Sequence, residues 1–390
     1  MATRRSNGDG SVTKASDGRW TARIQIGKNP NGSPKIKAFY GKNKAEATKK
    51  MREYLLHTNP NDVDVSKEIF GDYLLRWFEL YKSRSLKPTT YDRNDGIIRN
   101  QIIPAVGGFQ IGNISVDHIQ QFINQLQDEG YSHSTLNKAK QLLDGCFKYA
   151  LTKQAVKFNP VVGIEMPSSE LFEKKDIVIL GEDDINRFVQ MATSIYPSGA
   201  PVYRYGWGLV FILYTGLRLG EALGVKWSDI DYAEKLIKVK SNVVVIKNRN
   251  KTKETEPNFI VNISSTKTKK GTRDVYLSHT ALQALSELKN IVSPAKENSY
   301  IFATSTGKIA GKRNMYRAVE SIAERAELSI EHCNVHALRH TFASMLFRKG
   351  VDIKTISALL GHSKVEFTYN TYVHLIEEQK HSAVSLLDTL

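Results

Sequence analysis

Two cysteines, Cys146 and Cys333, are all that 390 residues contain, too few for a disulfide framework. No apolar run reaches the roughly 18 residues that a membrane-spanning helix needs, so no membrane partner is expected. The opening Met-Ala-Thr-Arg-Arg-Ser-Asn-Gly lacks the apolar segment of a secretory signal. A reducing cytoplasm is the expected setting. Acidic residues are scarce at the start: positions 1–60 hold 13 Lys and Arg against 4 Asp and Glu, and so carry +9 of the overall +15. Such asymmetry points to a basic arm for a polyanion, DNA or RNA, with a solubilising tail as the alternative. No internal repeat is present. The 41% hydrophobic content fits a folded protein, and the length predicts two or three domains.

The spacing predicts a multidomain α+β chain. Residues 19–26 and 35–40 alternate as strands around the turn signal Asn31-Gly32, and a helix follows over 44–56. That is a small three-stranded β plus helix N-terminal domain, 1–60. Between 64 and 165 the periodicity is helical. Phe70, Tyr73, Leu74, Trp77, Leu80 and Tyr81 form one stripe, Pro88 starts a second helix and Ser115 caps a third. Ser134 opens a fourth helix with Leu136, Ala139, Leu142, Leu143, Cys146, Phe147 and Ala150 inward, giving an all-α domain whose aromatics read as core. After a linker around Pro167, residues 178–390 read as a mainly α domain with a small antiparallel sheet from strands at 237–240 and 274–277. The 247–253 stretch reads as a flexible loop between strands.

Four stretches of the last domain carry chemistry. They are Thr215-Gly216-Leu217-Arg218-Leu219-Gly220-Glu221; Thr266-Lys267-Thr268-Lys269-Lys270-Gly271-Thr272-Arg273; His336-Ala337-Leu338-Arg339-His340; and Leu359-Leu360-Gly361-His362, with Tyr372 ten residues on. His336 and Arg339, three apart in a helix, share a face. Gly361 suits a helix C-cap that fixes the exit of His362. Two arginines can each grip a phosphate in bidentate fashion. With histidines, a lysine and a tyrosine hydroxyl they supply the parts for phosphoryl transfer without metal. His332, Cys333, His336 and His340 also cluster, but the His336–His340 pair encloses no Glu and Cys333 has no second cysteine at zinc spacing. No metal or cofactor is expected.

These stretches resemble the tyrosine recombinases, or phage-type integrases: a His-x-x-Arg box, a Leu-Gly-His box and a terminal Tyr-x-His. The likeness spans the catalytic domain, and more weakly the helical core-binding domain and the N-terminal arm-binding unit of bacteriophage and conjugative-transposon integrases. It implies a site-specific recombinase that cuts and rejoins DNA through a 3′-phosphotyrosyl link. Tyr372 is then the nucleophile, with Tyr369 its rival. Arg218 and Arg339 stabilise the transition state, His336 helps remove the tyrosine proton and His362 bonds a phosphate oxygen. Lys267, with Lys269 and Lys270 as rivals, is the general acid, and Glu221 orients Arg218. His340 reads as a buried hydrogen-bonding histidine, and His374 receives no role. Ala337 departs from the acidic residue many members carry there.

The resemblance further implies double-stranded DNA with core and arm sites, a homotetramer on DNA, and an excisionase and a DNA-bending host factor as partners. The tail 375–390 is expected to dock on a neighbouring protomer, with docking on its own domain as the alternative. A type IB topoisomerase, a chromosome-dimer resolvase and a DNA-binding protein without catalysis are the competing readings.

Overall fold

A computed structural model describes residues 11–14, 18–28, 33–57, 65–172, 177–265, 273–292, 298–330, 332–362 and 364–373. The chain divides into two compact units, one formed by Met1–Lys174 with Ile246–Ile260, the other by Lys175–Val245 with Val261–Leu390.

In the first unit, strands β1 (Ser11–Lys14), β2 (Trp20–Lys28) and β3 (Pro34–Gly41) form an antiparallel sheet in sequence order. Alternation puts Ala22 and Ile24 inward while Arg23 faces out. Helix α1 (Lys44–His57) covers the inner face with Ala47 and Met51. Helices α2 (Phe70–Trp77), α3 (Pro88–Ile97), α4 (Ile103–Val106), α5 (Val116–Asp128) and α6 (His133–Thr152) build a second core of Phe70, Leu74, Ile98, Ile119, Leu143 and Phe147. Ser115 caps α5 as the sequence predicts. Its Oγ accepts from the His118 amide at 3.3 Å, and His118 Nδ1 accepts from the Ser115 amide at 3.1 Å.

The stripe extrapolated from α2 fails at its end. Residues Phe78–Lys82 form a π turn, which spends an extra residue and rotates the inward face. Phe78 is therefore fully buried, whereas Tyr81 stands 52% exposed with its hydroxyl against that of Tyr149 at 2.8 Å. The 247–253 stretch is also better held than its composition implies. The Lys247 amide donates to Asp92 Oδ2 at 2.9 Å, Arg249 pairs with Asp92, and its guanidinium lies 3.7 Å from the Tyr91 ring centroid.

The second unit is built around α8 (Gly206–Thr215), whose Leu209, Val210, Phe211, Ile212 and Leu213 are all fully buried. An apolar helix of this kind is a core element, not an amphipathic one. Before it comes α7 (Glu182–Ala192); after it come α9 (Leu219–Ala222) and the strands β4 (Ile230–Asp231), β5 (Leu236–Val239), β6 (Ser241–Lys247), β7 (Phe259–Ser265) and β8 (Arg273–Tyr276). β5 lies between β4 and β8, antiparallel to both, while β6 and β7, on either side of the 247–253 stretch, make a separate two-stranded sheet. Helices α10 (His279–Ile291), α11 (Lys312–Arg325), α12 (Val335–Arg348) and α13 (Ile353–Leu360) follow. A further helical turn pair spans 365–373. α10 and α12 pack on α8, so α12 is anchored to the most buried element of the unit. Among the described residues no helix is long and apolar enough to cross a membrane.

Candidate active site

The site grows from two helix ends. α8 stops at Gly216, which takes the left-handed conformation at φ 63° that ends helices cleanly. The chain then turns so that Arg218 precedes α9, and the Glu221 carboxylate one turn on accepts from the Arg218 amide at 3.1 Å and from its Nη1 at 3.0 Å. α13 stops at Gly361, also left-handed at φ 65°. The last carbonyls of a helix lack intrahelical partners and carry the negative end of its dipole. Here arginines fill them. Arg339 Nη2 donates to the Leu360 carbonyl at 2.6 Å, Arg273 Nε to that of Leu359 at 3.1 Å, and Arg218 Nη2 to that of Gly361 at 3.4 Å. Three like charges are thus gathered on one acceptor-rich helix end. Arg339 is additionally tied to the end of α8, donating to the Gly216 carbonyl at 2.6 Å.

Glu221 is the counter-charge. Arg273 closes on it from Nη1 at 3.2 Å and Nη2 at 2.9 Å. Burial raises a carboxyl, but the hydrogen bonds and charge of Arg273, with the charge of Arg218, bring this one down to about 2. Arg273 stood in a stretch the sequence singled out, yet received no role there. The available signal was an arginine opening a strand next to a buried acid, legible only once the fold joins β8 to α9.

α12 presents His336, Arg339 and His340. Asn334 starts it, its Oδ1 accepting from the His336 amide at 2.8 Å and the Ala337 amide at 3.1 Å. Arg339 is 2% exposed, and burial with the charge of Arg218 holds its guanidinium below the ordinary range. His362 Nε2 lies 3.0 Å from Arg339 Nη2, and its Nδ1 lies 2.8 Å from the buried Thr368 Oγ1. A guanidinium only donates, so Nε2 accepts and the neutral ring carries its proton on Nδ1, donating to Thr368. Burial and then the neighbouring arginines hold His362 down at about 3.

The hydroxyl of Tyr372 lies 2.8 Å from His340 Nδ1, and the His336 ring meets His340 edge-on with centroids 4.6 Å apart. Tyr372 is 2% exposed among Ala343, Phe347, Ile356 and Leu360. Burial pushes its hydroxyl well above the ordinary value, with Arg339 pulling the other way. Burial, His336 and Arg339 hold His340 down at about 4, and burial, Arg339 and Arg218 lower His336. Tyr369, the rival, is 43% exposed.

The structure therefore bonds Arg218 to Glu221 and Arg339 to His362, brings the two pairs together at the Leu360 carbonyl, and places Tyr372 and His336 on either side of His340. Lys267, Lys269, Lys270, His374 and the tail 375–390 lie outside the described residues. Among the described residues no three His, Cys, Asp or Glu gather as a metal ion requires. In the first unit, the N-terminal turns of α3 and α6 open on a groove of about 630 Å³ lined by Thr89, Thr90, Arg93, Asn137, Lys138 and Gln141.

The model of the phage integrase family matches residues 179–379, and that of the phage integrase N-terminal SAM-like domain matches 69–127. A tyrosine recombinase XerC-like protein of Caldanaerobacter subterraneus subsp. tengcongensis is 31% identical across 94% of this chain and 95% of its own. The Tn1549 transposon integrase in complex with transposon right end DNA overlays with a TM-score of 0.66 at 19% identity, covering 82% of this chain and 100% of that one. A lambda integrase tetramer bound to a Holliday junction overlays with a TM-score of 0.56 at 18% identity, covering 94% and 96%.

Proposed function

This chain belongs to the phage integrase family and is a tyrosine-type site-specific DNA recombinase, and from that premise we propose the residues that carry its reaction. Tyr372 attacks the scissile phosphodiester and forms a 3′-phosphotyrosyl bond as the 5′-oxygen leaves. Arg218 and Arg339 stabilise the charge that builds on the phosphoryl oxygens. Preorganised donors of this kind are each worth about 3 kcal/mol or more of transition-state stabilisation. The observation that carries the reading is the convergence of both guanidiniums on the Leu360 carbonyl, 2.6 Å from Arg339 Nη2 and 3.5 Å from Arg218 Nη1. A phosphate offers the same kind of acceptor with a full charge, and a bidentate one.

Glu221 holds Arg218 in place, His336 assists removal of the tyrosine proton, and His362 bonds a phosphate oxygen once its Nε2 leaves Arg339 and carries a proton. Lys267 protonates the departing oxygen. The phosphotyrosyl bond conserves the energy of the phosphodiester, so rejoining needs only a new 5′-hydroxyl. We assign 1–60 to arm-site binding, 64–165 to core-site binding and 178–390 to catalysis. The α3–α6 groove supports the second assignment, since helix N-terminal turns with Arg93 and Lys138 suit a phosphate backbone. Four copies would exchange strands of two DNA segments, integrating and excising a mobile element, with an excisionase and a DNA-bending host factor as accessories. The relative solved as a tetramer on a Holliday junction supports that arrangement.

The test is trapping on a nicked suicide substrate drawn from the DNA flanking the element. An adduct that survives denaturation in wild type and vanishes in Tyr372→Phe is the expected result. Persistence of the adduct in the variant moves the nucleophile, with Tyr369 next in line.

A further inference from the structure

A tyrosine that becomes a phosphate ester must lose its proton as the new bond forms. The acceptor has to lie within hydrogen-bond reach of the hydroxyl, about 2.6–3.2 Å. His336 holds that role by family resemblance, yet it sits exposed at the start of α12, and its ring meets the neighbouring imidazole of His340. The group in contact with the Tyr372 hydroxyl is His340, through Nδ1 at 2.8 Å. We propose that His340 is a catalytic residue, the immediate acceptor of the Tyr372 proton, and that His336 stands one step behind it towards solvent.

The chemistry balances without any co-reactant. The Tyr372 O–H bond breaks, its proton passes to His340 Nδ1, and the oxygen lone pair forms the bond to phosphorus. The bond from phosphorus to the 5′-oxygen breaks, and that oxygen takes a proton from the general acid, Lys267 in the reading above. Rejoining runs the steps backwards, with His340 returning the proton to the leaving tyrosine. The groups that face His340 are His336 and Arg339 from α12, Tyr372 from the 365–373 helix and His362 just past α13. With burial around it and His336 and Arg339 beside it, the imidazole is neutral near pH 7, the form that accepts.

This inference rests on Tyr372 as the nucleophile, and one experiment separates the two. Single-turnover adduct formation on the nicked substrate is followed for wild type, Tyr372→Phe, His340→Asn, His340→Gln and His340→Ala, the last with and without added imidazole. DNA affinity and thermal midpoint are measured alongside. The two amides can hold the tyrosine hydroxyl but cannot take its proton, and using both guards against one failing to fold. The expected result is a fall of about 10²-fold or more in both amide variants with DNA binding retained, and recovery of His340→Ala by imidazole. Rates within threefold of wild type overturn the proposal while leaving Tyr372 in place. Faster adduct formation also overturns it, making the His340 contact a restraint on the tyrosine. A slow His340→Ala that binds DNA but ignores imidazole reduces His340 to packing. Survival of the adduct in Tyr372→Phe removes the underlying nucleophile assignment instead.

Discussion

Arg273 closes both of its terminal nitrogens on the carboxylate of Glu221, at 3.2 and 2.9 Å, with the two side chains only 10% and 7% exposed. The same carboxylate fixes Arg218, so the strand that follows the Lys267 stretch is tied to one of the two arginines we assign to the phosphate. Leaving a buried charge wholly uncompensated typically costs about 3–5 kcal/mol; without Arg273 the Glu221 carboxylate keeps Arg218, so the loss here is a part of that. Arg273→Ala is therefore expected to lower the thermal midpoint. Arg273→Lys should recover part of the stability and little of the adduct formation, because an ammonium cannot grip a carboxylate with two parallel bonds. A lysine variant with wild-type cleavage would show that the bidentate geometry does not matter to Arg218.

How far this was legible beforehand depends on whether a residue acts locally. The His336–Arg339 face, the left-handed cap at Gly361 and the Ser115 cap are set by neighbours within four residues, and sequence spacing reads them directly. Arg273 acts across 52 positions on Glu221, and His340 across 32 on Tyr372; neither contact has a local signature. The end of the α2 stripe was misread for another reason. A π turn changes the helical period itself, so a pattern extended at 3.6 residues per turn assigns Tyr81 to the core. The strands flanking 247–253 are expected, but their bounds and separate sheet are not legible, because Val245, Phe259, Ile260, Val261 and Ile263 are apolar yet exposed, which blurs the inside–outside alternation.

The buried titratable groups give stability a definite pH direction. Glu221 folds with its carboxyl at about 2 against an ordinary 4.5, so its contribution is complete above pH 4.5 and is lost as the pH falls towards 2. His340 at about 4 and His362 at about 3, against 6.5, act in the same sense. Below pH 6.5 the unfolded chain takes up protons that the folded chain refuses. The thermal midpoint is expected to fall between pH 6.5 and 4, and less steeply in His340→Asn and His362→Asn. A midpoint constant from pH 7 to 4.5 would contradict this reading.

Thr368 tests the tautomer of His362. Its buried hydroxyl accepts the Nδ1 proton and leaves Nε2 unprotonated towards Arg339. Thr368→Val keeps the shape and removes the acceptor. The ring is then free to carry its proton on either nitrogen. The expected outcome is a change in adduct formation of about tenfold, equivalent to about 1.4 kcal/mol, with DNA affinity unchanged. Equal loss in binding and cleavage would point to a packing defect.

Two separable effects on DNA binding are expected of the α3–α6 groove. Lys138 and Arg93 suit phosphates, so Lys138→Ala should weaken binding to specific and random DNA alike and reduce the salt slope by about one. Asn137 and Gln141 carry paired donors and acceptors suited to base edges, so Asn137→Ala should cost about 1–3 kcal/mol on the specific site only. Binding titrations across salt concentrations on both DNAs make the distinction. Equal behaviour of the two variants would remove the groove from sequence recognition.

Two glycines separate backbone strain from damage to the site. Gly361 and Gly350 both have left-handed backbones, φ 65° and 81°, where a side chain costs about 1–2 kcal/mol. A Cβ at Gly350 meets nothing within 4 Å, whereas one at Gly361 comes 2.8 Å from Arg273 Nη1 and 2.9 Å from its Nε. Gly350→Ala should therefore lose stability by about that amount and keep its cleavage rate, judged with DNA saturating. Gly361→Ala carries the same strain but also pushes Arg273 off the Leu359 carbonyl and off Glu221, and shifts the carbonyls that seat Arg218 and Arg339. Its cleavage rate should fall by at least tenfold at a temperature where it remains folded. If both variants cleave alike, the arginines hold their places without the carbonyls at the end of α13, and the site's rigidity has to come from Glu221 and the α8 terminus.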